Sequence, residues 1–229
     1  MPLPPYLLGY WLGDGDSDGP RFTASEEDLP HLEAQCLLAG ARVVSRQRTH
    51  GRTFRIRFDL GARATALHAL REMGVLHNKH IPPHVFRSSE TQRRETLQGL
   101  VDSDGYIETG TNRVEVCFTS KRLALDTVEL IRTLGFYPRL SQGNATLNGR
   151  ITGTRYRIVF TAYEGDHAAR LPRKAERLGP KGTSVPYSRV RTITEIKKVE
   201  PALVTRIRVS ATGGTYLAGD GLIPVCDYT

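Results

Sequence analysis

The chain has 229 residues, 39% of them hydrophobic, enough for a packed core in one domain or two small ones. It lacks both an apolar run of about 18 residues and the basic start and cleavage site of a signal peptide, so it reads as a cytoplasmic protein with no membrane span. Lys and Arg number 32 against 24 Asp and Glu, a net charge of +8 with pI about 9.6, and such a surface calls for a polyanionic partner, most often nucleic acid.

The first predicted element is a helix ending in "LLGYWLGDG" (residues 7–15). Asp14, Asp16 and Asp18 before Gly19 imitate the front of a calcium loop. Position twelve of that loop falls on Ser25 and not on the Glu it requires, so Asp16 and Asp18 read as turn residues. The strand "RFTAS" (21–25) follows, then an amphipathic helix over about 26–40 closed by Gly40, then "FRIRF" (54–58). There Phe54, Ile56 and Phe58 alternate with Arg55 and Arg57, an apolar face backed by a basic one. His77, His80 and His84 have a zinc-like rhythm, but Ile81-Pro82-Pro83 disfavours a helix and none of Cys36, Cys117 and Cys226 is near.

A second round then begins. "LQGLVDSDG" (97–105) repeats the first helix end, and "CFTSK" (117–121) is matched to "RFTAS". In 113–118, Val114, Val116 and Phe118 oppose Arg113, Glu115 and Cys117. A helix over 121–135 is closed by Gly135; Gly40 and Gly135 each precede a Gln by seven residues; and "YRIVF" (156–160) repeats "FRIRF". The second copy carries about five extra residues, assigned to the turn at 108–112. Gly9 and Gly13 in one copy, Gly99 and Ser103 in the other, form a small-residue face that lets two helix backbones come close. Such packing would bring Asp14 and Asp104 together at two helix C-termini, a place suited to a hard divalent cation. Beside a basic groove, that is apparatus for phosphodiester hydrolysis.

The two motifs resemble those of the LAGLIDADG homing endonucleases in their single-chain, two-repeat form, over most of residues 5–185. The second motif matches at nearly every position, whereas Leu12 stands where the first should have its earlier Asp. The resemblance implies an α+β fold of two pseudo-symmetric α-β-β-α-β-β-α repeats forming a saddle of antiparallel sheets. The repeats are placed at 1–95 and 96–187. It implies a monomer that cuts both strands of a long, non-palindromic double-stranded DNA target. Asp14 and Asp104 are the implied metal ligands, with the carbonyls of Gly13 and Ser103 as further ones. Mg²⁺ is the implied cofactor, with Mn²⁺ able to substitute and Ca²⁺ able to bind without supporting cleavage. Basic residues implied near the acids are Lys79, in "NKHIPPHVF", and Lys174, in "RLPRKAERL", 65 and 70 residues after them. Lys181 is the fallback for Lys174; Ser25, Ser120 and Lys121 are weaker candidates for ordering water. The expected DNA-facing set is Arg42, Arg46, Gln47, Arg48, Arg55 and Arg57, then Arg113, Arg139, Gln142, Arg155 and Arg157.

Residues 188–229 change character, with strand-like runs at 190–200 and 203–225. The end resembles the C-terminal splicing segment of inteins, but "VCDYT" replaces the terminal His-Asn, and no opening nucleophile or T-x-x-H block precedes the first helix. The expectation is a small β-rich, intein-like extension that does not complete splicing by Asn cyclisation. Two alternatives stand beside cleavage: a non-cleaving nucleic-acid binder, maturase-like or regulatory, on the same fold, and a remnant or split splicing element.

Overall fold

In the computed structural model the chain divides into two compact units, Met1–Thr183 and Ser184–Thr229. The structure describes residues 1–61, 65–147, 149–181, 193, 195–203, 205, 207–210, 213–219 and 222–226.

The first unit holds both repeats. Copy one runs α1 (Pro5–Asp14), β1 (Arg21–Ser25), α2 (Leu29–Leu38), β2 (Ala41–Arg48), β3 (Thr53–Leu60), α3 (Ala66–Glu72) and α4 (Pro83–Phe86). Copy two runs α5 (Glu90–Asp104), β4 (Gly105–Glu108), β5 (Arg113–Phe118), α6 (Lys121–Thr133), β6 (Arg139–Leu147), β7 (Arg150–Thr161), a 3₁₀ turn at Glu164–Asp166 and α7 (Pro172–Ala175). The sheets are antiparallel, ordered β1-β3-β2 and β4-β5-β7-β6. The mixed architecture with antiparallel sheets is thus as expected, but among the described residues copy one has one strand fewer than α-β-β-α-β-β-α. Its counterpart of β4 shrinks to a single bridge, Gly15 to Phe22, because the chain turns back at once through 16–20. The extra residues of copy two are what allow β4.

The helices start and stop where their sequences say. Ser89 and Gln92 form a reciprocal capping box on α5, and Ser120 accepts from the Leu123 N–H at the start of α6. Gly40 and Gly135, both at positive φ, end α2 and α6. Strand alternation places Ile56 and Phe58 in the core of one sheet and Val114, Val116, Phe118, Ile158 and Phe160 in that of the other. These faces pack on helices, with the Phe22–Phe58 and Phe136–Phe160 ring pairs inside. The facing pattern also corrects one match. Phe22 pairs with Ile56 but Phe118 pairs with Tyr156, so Val116, opposite Ile158, is the residue equivalent to Phe22.

In the second unit the described elements are a hairpin, β8 (Thr215–Ala218) with β9 (Ile223–Cys226). The described residues of the expected run at 190–200 lie in no strand, and those of 203–225 lie in strands only in the hairpin at its end. Asp227, Tyr228 and Thr229, which stand in place of the splicing dipeptide, lie outside the described residues.

Candidate active site and nucleic-acid interface

α1 and α5 pack along their small residues. A methyl on Gly99 would sit 2.5 Å from the Tyr10 nitrogen and 2.8 Å from the Gly9 carbonyl carbon; one on Gly9 would run into the Thr96 carbonyl. Only glycine lets the backbones this close. At the end of the seam a methyl on Gly13 would overlap Ser103 Oγ and lie 3.0 Å from Asp104 Oδ2. The Asp104 carboxylate therefore lies against the last turn of α1, beside Asp14, as the repeat predicts. Gly15 and Gly105 follow the two acids with extended backbones, their N–H groups bonded back to the Trp11 and Val101 carbonyls.

Both carboxylates are half-buried. Burial, reinforced by the charge of Asp14, pushes the Asp104 carboxyl up to about 6, against the pull of Lys79 and Lys174. Burial raises Asp14 too, opposed by the same two lysines. Two acids held short of water at two helix C-termini offer carboxylate oxygens of the kind a hard divalent ion takes. Among the described residues no three of His, Cys, Asp and Glu gather to hold a metal, His77, His80 and His84 included. His80 is buried with Nδ1 2.7 Å from the Asn78 carbonyl.

The two lysines reach the site differently. Lys79 donates to the Gly13 carbonyl at 2.8 Å and lies over the Trp11 ring, leaving two of its three N–H groups unassigned. Lys174 is 5% exposed and spends its ammonium on the end of α5, at 2.8 Å from the Val101 carbonyl, 2.6 Å from that of Asp102 and 3.4 Å from that of Ser103. Burial lowers Lys79 and brings Lys174 down to about 8. The Gly13 and Ser103 carbonyls, expected as metal ligands, thus already accept from these lysines. Lys181, the fallback, is exposed. Ser25 accepts from the Asp28 N–H and lines a cavity of about 160 Å³ with Asp14, Tyr10, Ser103 and Arg173. Ser120 serves as a helix cap, and Lys121 opens α6.

Each lysine segment is strapped to the helix of the other copy. The Ile81 N–H donates to Asp126 of α6, and Arg122 of α6 donates to Asn78. Arg173 grips the 5%-exposed Asp28, at the N-terminus of α2, with two bonds of 2.6 Å, and Arg170 reaches Gln35 of α2. Asp102, 1% exposed, accepts from the Tyr6 hydroxyl and from the Arg170 and Leu171 N–H groups, fixing the turn that carries Lys174. Sequence reasoning passed over these residues. One signal was present: Asp102 has no partner in the first motif, where Leu12 is buried instead.

The strand register sorts the expected DNA-facing residues. Arg55, Arg57, Gln47 and Arg42 lie on the sheet face away from the core, since Gln47 pairs with Arg55, and Arg42 with Asp59. A register shift between Val43 and Ser45 turns the strand over. Arg46 and Arg48 consequently pair with Ile56 and Phe54 on the core side, where Arg46 bridges to Glu33 and Arg48 to Glu26. In copy two, Arg113, Arg139, Arg155 and Arg157 share the outer face, but Gln142 pairs with Tyr156 on the other. Equal spacing from Gly40 and Gly135 therefore does not give Gln47 and Gln142 equal facing. The outer arginines form two basic faces, and no helix among the described residues is long and apolar enough to cross a membrane.

Residues 91–165 match the family model described as LAGLIDADG-like domain. Over 231 residues the chain is 33% identical to a replicative DNA helicase DnaB of Mycobacterium intracellulare, covering 99% of this chain and 35% of that protein. Over 169 residues it is 28% identical to an iron–sulfur cluster assembly SufBD family protein of Mycobacterium leprae (strain TN), covering 67% of this chain and 19% of that protein. The chain thus spans about a third and a fifth of the curated relatives it matches. Among solved structures, the homing endonuclease I-DmoI in complex with DNA and Ca aligns with TM-score 0.46 and 14% identity, over 76% of this chain and 95% of that one.

Proposed function

We propose that the chain is a LAGLIDADG homing endonuclease of the single-chain, two-repeat kind, making metal-dependent double-strand breaks in a long, non-palindromic DNA target. The observation that carries the reading is the meeting of Asp14 and Asp104 at the ends of two glycine-packed helices. The basic sheet faces of both repeats supply the attraction to DNA, and the protein acts as a monomer because both halves of the site lie in one chain. Asp14 and Asp104 would hold Mg²⁺, with Mn²⁺ a substitute and Ca²⁺ a non-productive occupant; bound there, the ion would supply an activated water and charge neutralisation at the phosphate. Lys79, with donors to spare, steadies the phosphate or its attacking water. Lys174 holds the end of α5 in place.

The chain is also proposed to be intein-derived. It resembles parts of a helicase and of an iron–sulfur assembly protein, whose names share no activity, so what the two have in common is neither of those functions. An element carried within different host proteins accounts for this. The test is incubation of a randomised duplex library with Mg²⁺. Wild type yields a discrete set of double-strand breaks. Asp14→Asn and Asp104→Asn each abolish them while the mutants still retain duplex on a filter. Full cleavage by either mutant refutes the assignment, and retention of duplex by a wild type that never cuts leaves the non-cleaving binder in its place.

A further inference from the structure

On the two basic faces, the arginines are not alike. Arg55 and Arg157 occupy the same place in their repeats, the second residue of "FRIRF" and of "YRIVF". Each forms an ion pair with a carboxylate, its Nε the near atom: Arg55 with Asp16 at 3.3 Å, Arg157 with Glu115 at 2.8 Å. The carboxylates are well covered, at 18% and 22% exposure, and the guanidinium groups open, at 47% and 36%. Each acid is also anchored from a second side, Asp16 by Arg21 Nε at 2.6 Å and Glu115 by Arg113 Nη2 at 3.1 Å. By contrast, Arg42, Arg57, Arg139 and Arg155 meet no ion-pair partner in the described residues.

An arginine paired at Nε with a covered acid and otherwise open leaves its Nη1 and Nη2 groups accessible from outside the sheet. Those groups are the partners of guanine O6 and N7 in the major groove. The anchoring acid also removes much of the rotamer entropy an arginine loses on binding. The two acids come from unrelated places, one from the turn after α1 and the other from β5, yet serve equivalent arginines. That convergence is difficult to explain by solvated surface pairing.

We infer that Arg55 and Arg157 are the base-reading arginines of the two half-sites, each reading a guanine, with Asp16 and Glu115 as their positioning residues. This rests on the DNA reading above. The two guanines then fall at quasi-symmetric positions about the centre of an otherwise asymmetric target. The unpaired outer arginines contact phosphates.

The test is selection of bound sequences from a randomised duplex library, in chelator so that no strand is cut. The proteins are wild type, Arg55→Lys, Arg157→Lys, Asp16→Asn, Glu115→Gln and Arg139→Ala. Wild type should show two guanine positions. Each Arg→Lys variant should lose the preference at one of them, by about 5- to 150-fold against the other bases, a larger loss than it shows on duplex lacking that guanine. Asp16→Asn and Glu115→Gln should flatten the same two positions without loss of overall retention. Arg139→Ala should weaken all sequences alike. If the Arg→Lys variants keep both preferences, or if all sequences weaken equally, Arg55 and Arg157 are phosphate contacts and the inference falls while the DNA reading stands. If wild type retains no duplex at all, both fall together.

Discussion

Replacing Gly99 by alanine should pry the two central helices apart. The added methyl lies 2.5 Å from the Tyr10 nitrogen and 2.8 Å from the Gly9 carbonyl carbon, and overlaps the Tyr6 carbonyl oxygen. Ordinary contact needs about 3.5 Å, so α1 must retreat by about 1 Å. Backbone cannot rotate aside, which places the overpacking cost at the upper end of its range, about 3 kcal/mol. Alanine returns about 1 kcal/mol through its higher helix propensity. The net loss of about 2 kcal/mol corresponds to about 4–8 °C in Tm for a unit of this size. Because the same shift moves Asp14 against Asp104, turnover should fall further, by about 100-fold for a displacement of that order. Thermal unfolding followed by circular dichroism measures the first effect and cleavage rate the second. Gly153→Ala, with nothing within 4 Å of its new methyl, is the control for Tm. If Gly99→Ala melts with wild type and Gly153→Ala, the helices are not in backbone contact and the site is not built as described.

Three further expectations follow from the electrostatics. The folded Asp104 carboxyl, pushed up to about 6 from an ordinary 3.8, gives a stabilising contribution present in full below 3.8 and lost as pH rises through 6, because the unfolded chain releases its proton first. In metal-free protein the Tm advantage of Asp104→Asn over wild type should therefore grow between pH 4 and about pH 6 and then level off; an advantage that shrinks over that range contradicts the burial of the acid. Lys174→Met should lower Tm more than Lys79→Met, since it strips a donor from three α5 carbonyls against one of α1, each left unpaired costing about 1–3 kcal/mol, whereas Lys79→Met should slow cleavage more. The reverse order would exchange the roles of the two lysines. Arg173→Ala strands the buried Asp28 and should cost about 3 kcal/mol, the low end for a buried pair because Arg173 is itself 38% exposed. The double variant with Asp28→Asn should recover part of that loss, and strictly additive losses would show that the two side chains are not coupled.

The parts of this molecule governed by local rules could be read from its residues. Alternation placed Ile56 and Phe58, and Val114 and Val116, in the cores of their sheets. The paired Asp-Gly ends and small-residue faces located Asp14 and Asp104, because close helix approach demands particular residues at fixed spacing. What could not be read depended on register or on distant partners. The shift between Val43 and Ser45 carries no sequence mark, yet it alone sends Gln47 outward while Arg46 and Arg48 face the core side. Nothing local announces that Asp28 will meet Arg173, 145 residues away, or that Asp126 will meet the Ile81 N–H. Nor did the similar opening helices disclose that copy one would fold with a single bridge where copy two has β4.

The crossing straps bear on how such a molecule can be re-engineered or can evolve. Lys79 follows the strands of copy one but is seated by α6 of copy two; Lys174 follows copy two but is seated by α2 of copy one. A chimera that joins either half to a foreign partner breaks both seats at once, even when the glycine seam between α1 and α5 is kept. Exchange of halves is therefore not modular at the level of single repeats. The smallest transferable parcel is a half together with Asp28 and Gln35, or Arg122 and Asp126, written into the helix of its new neighbour.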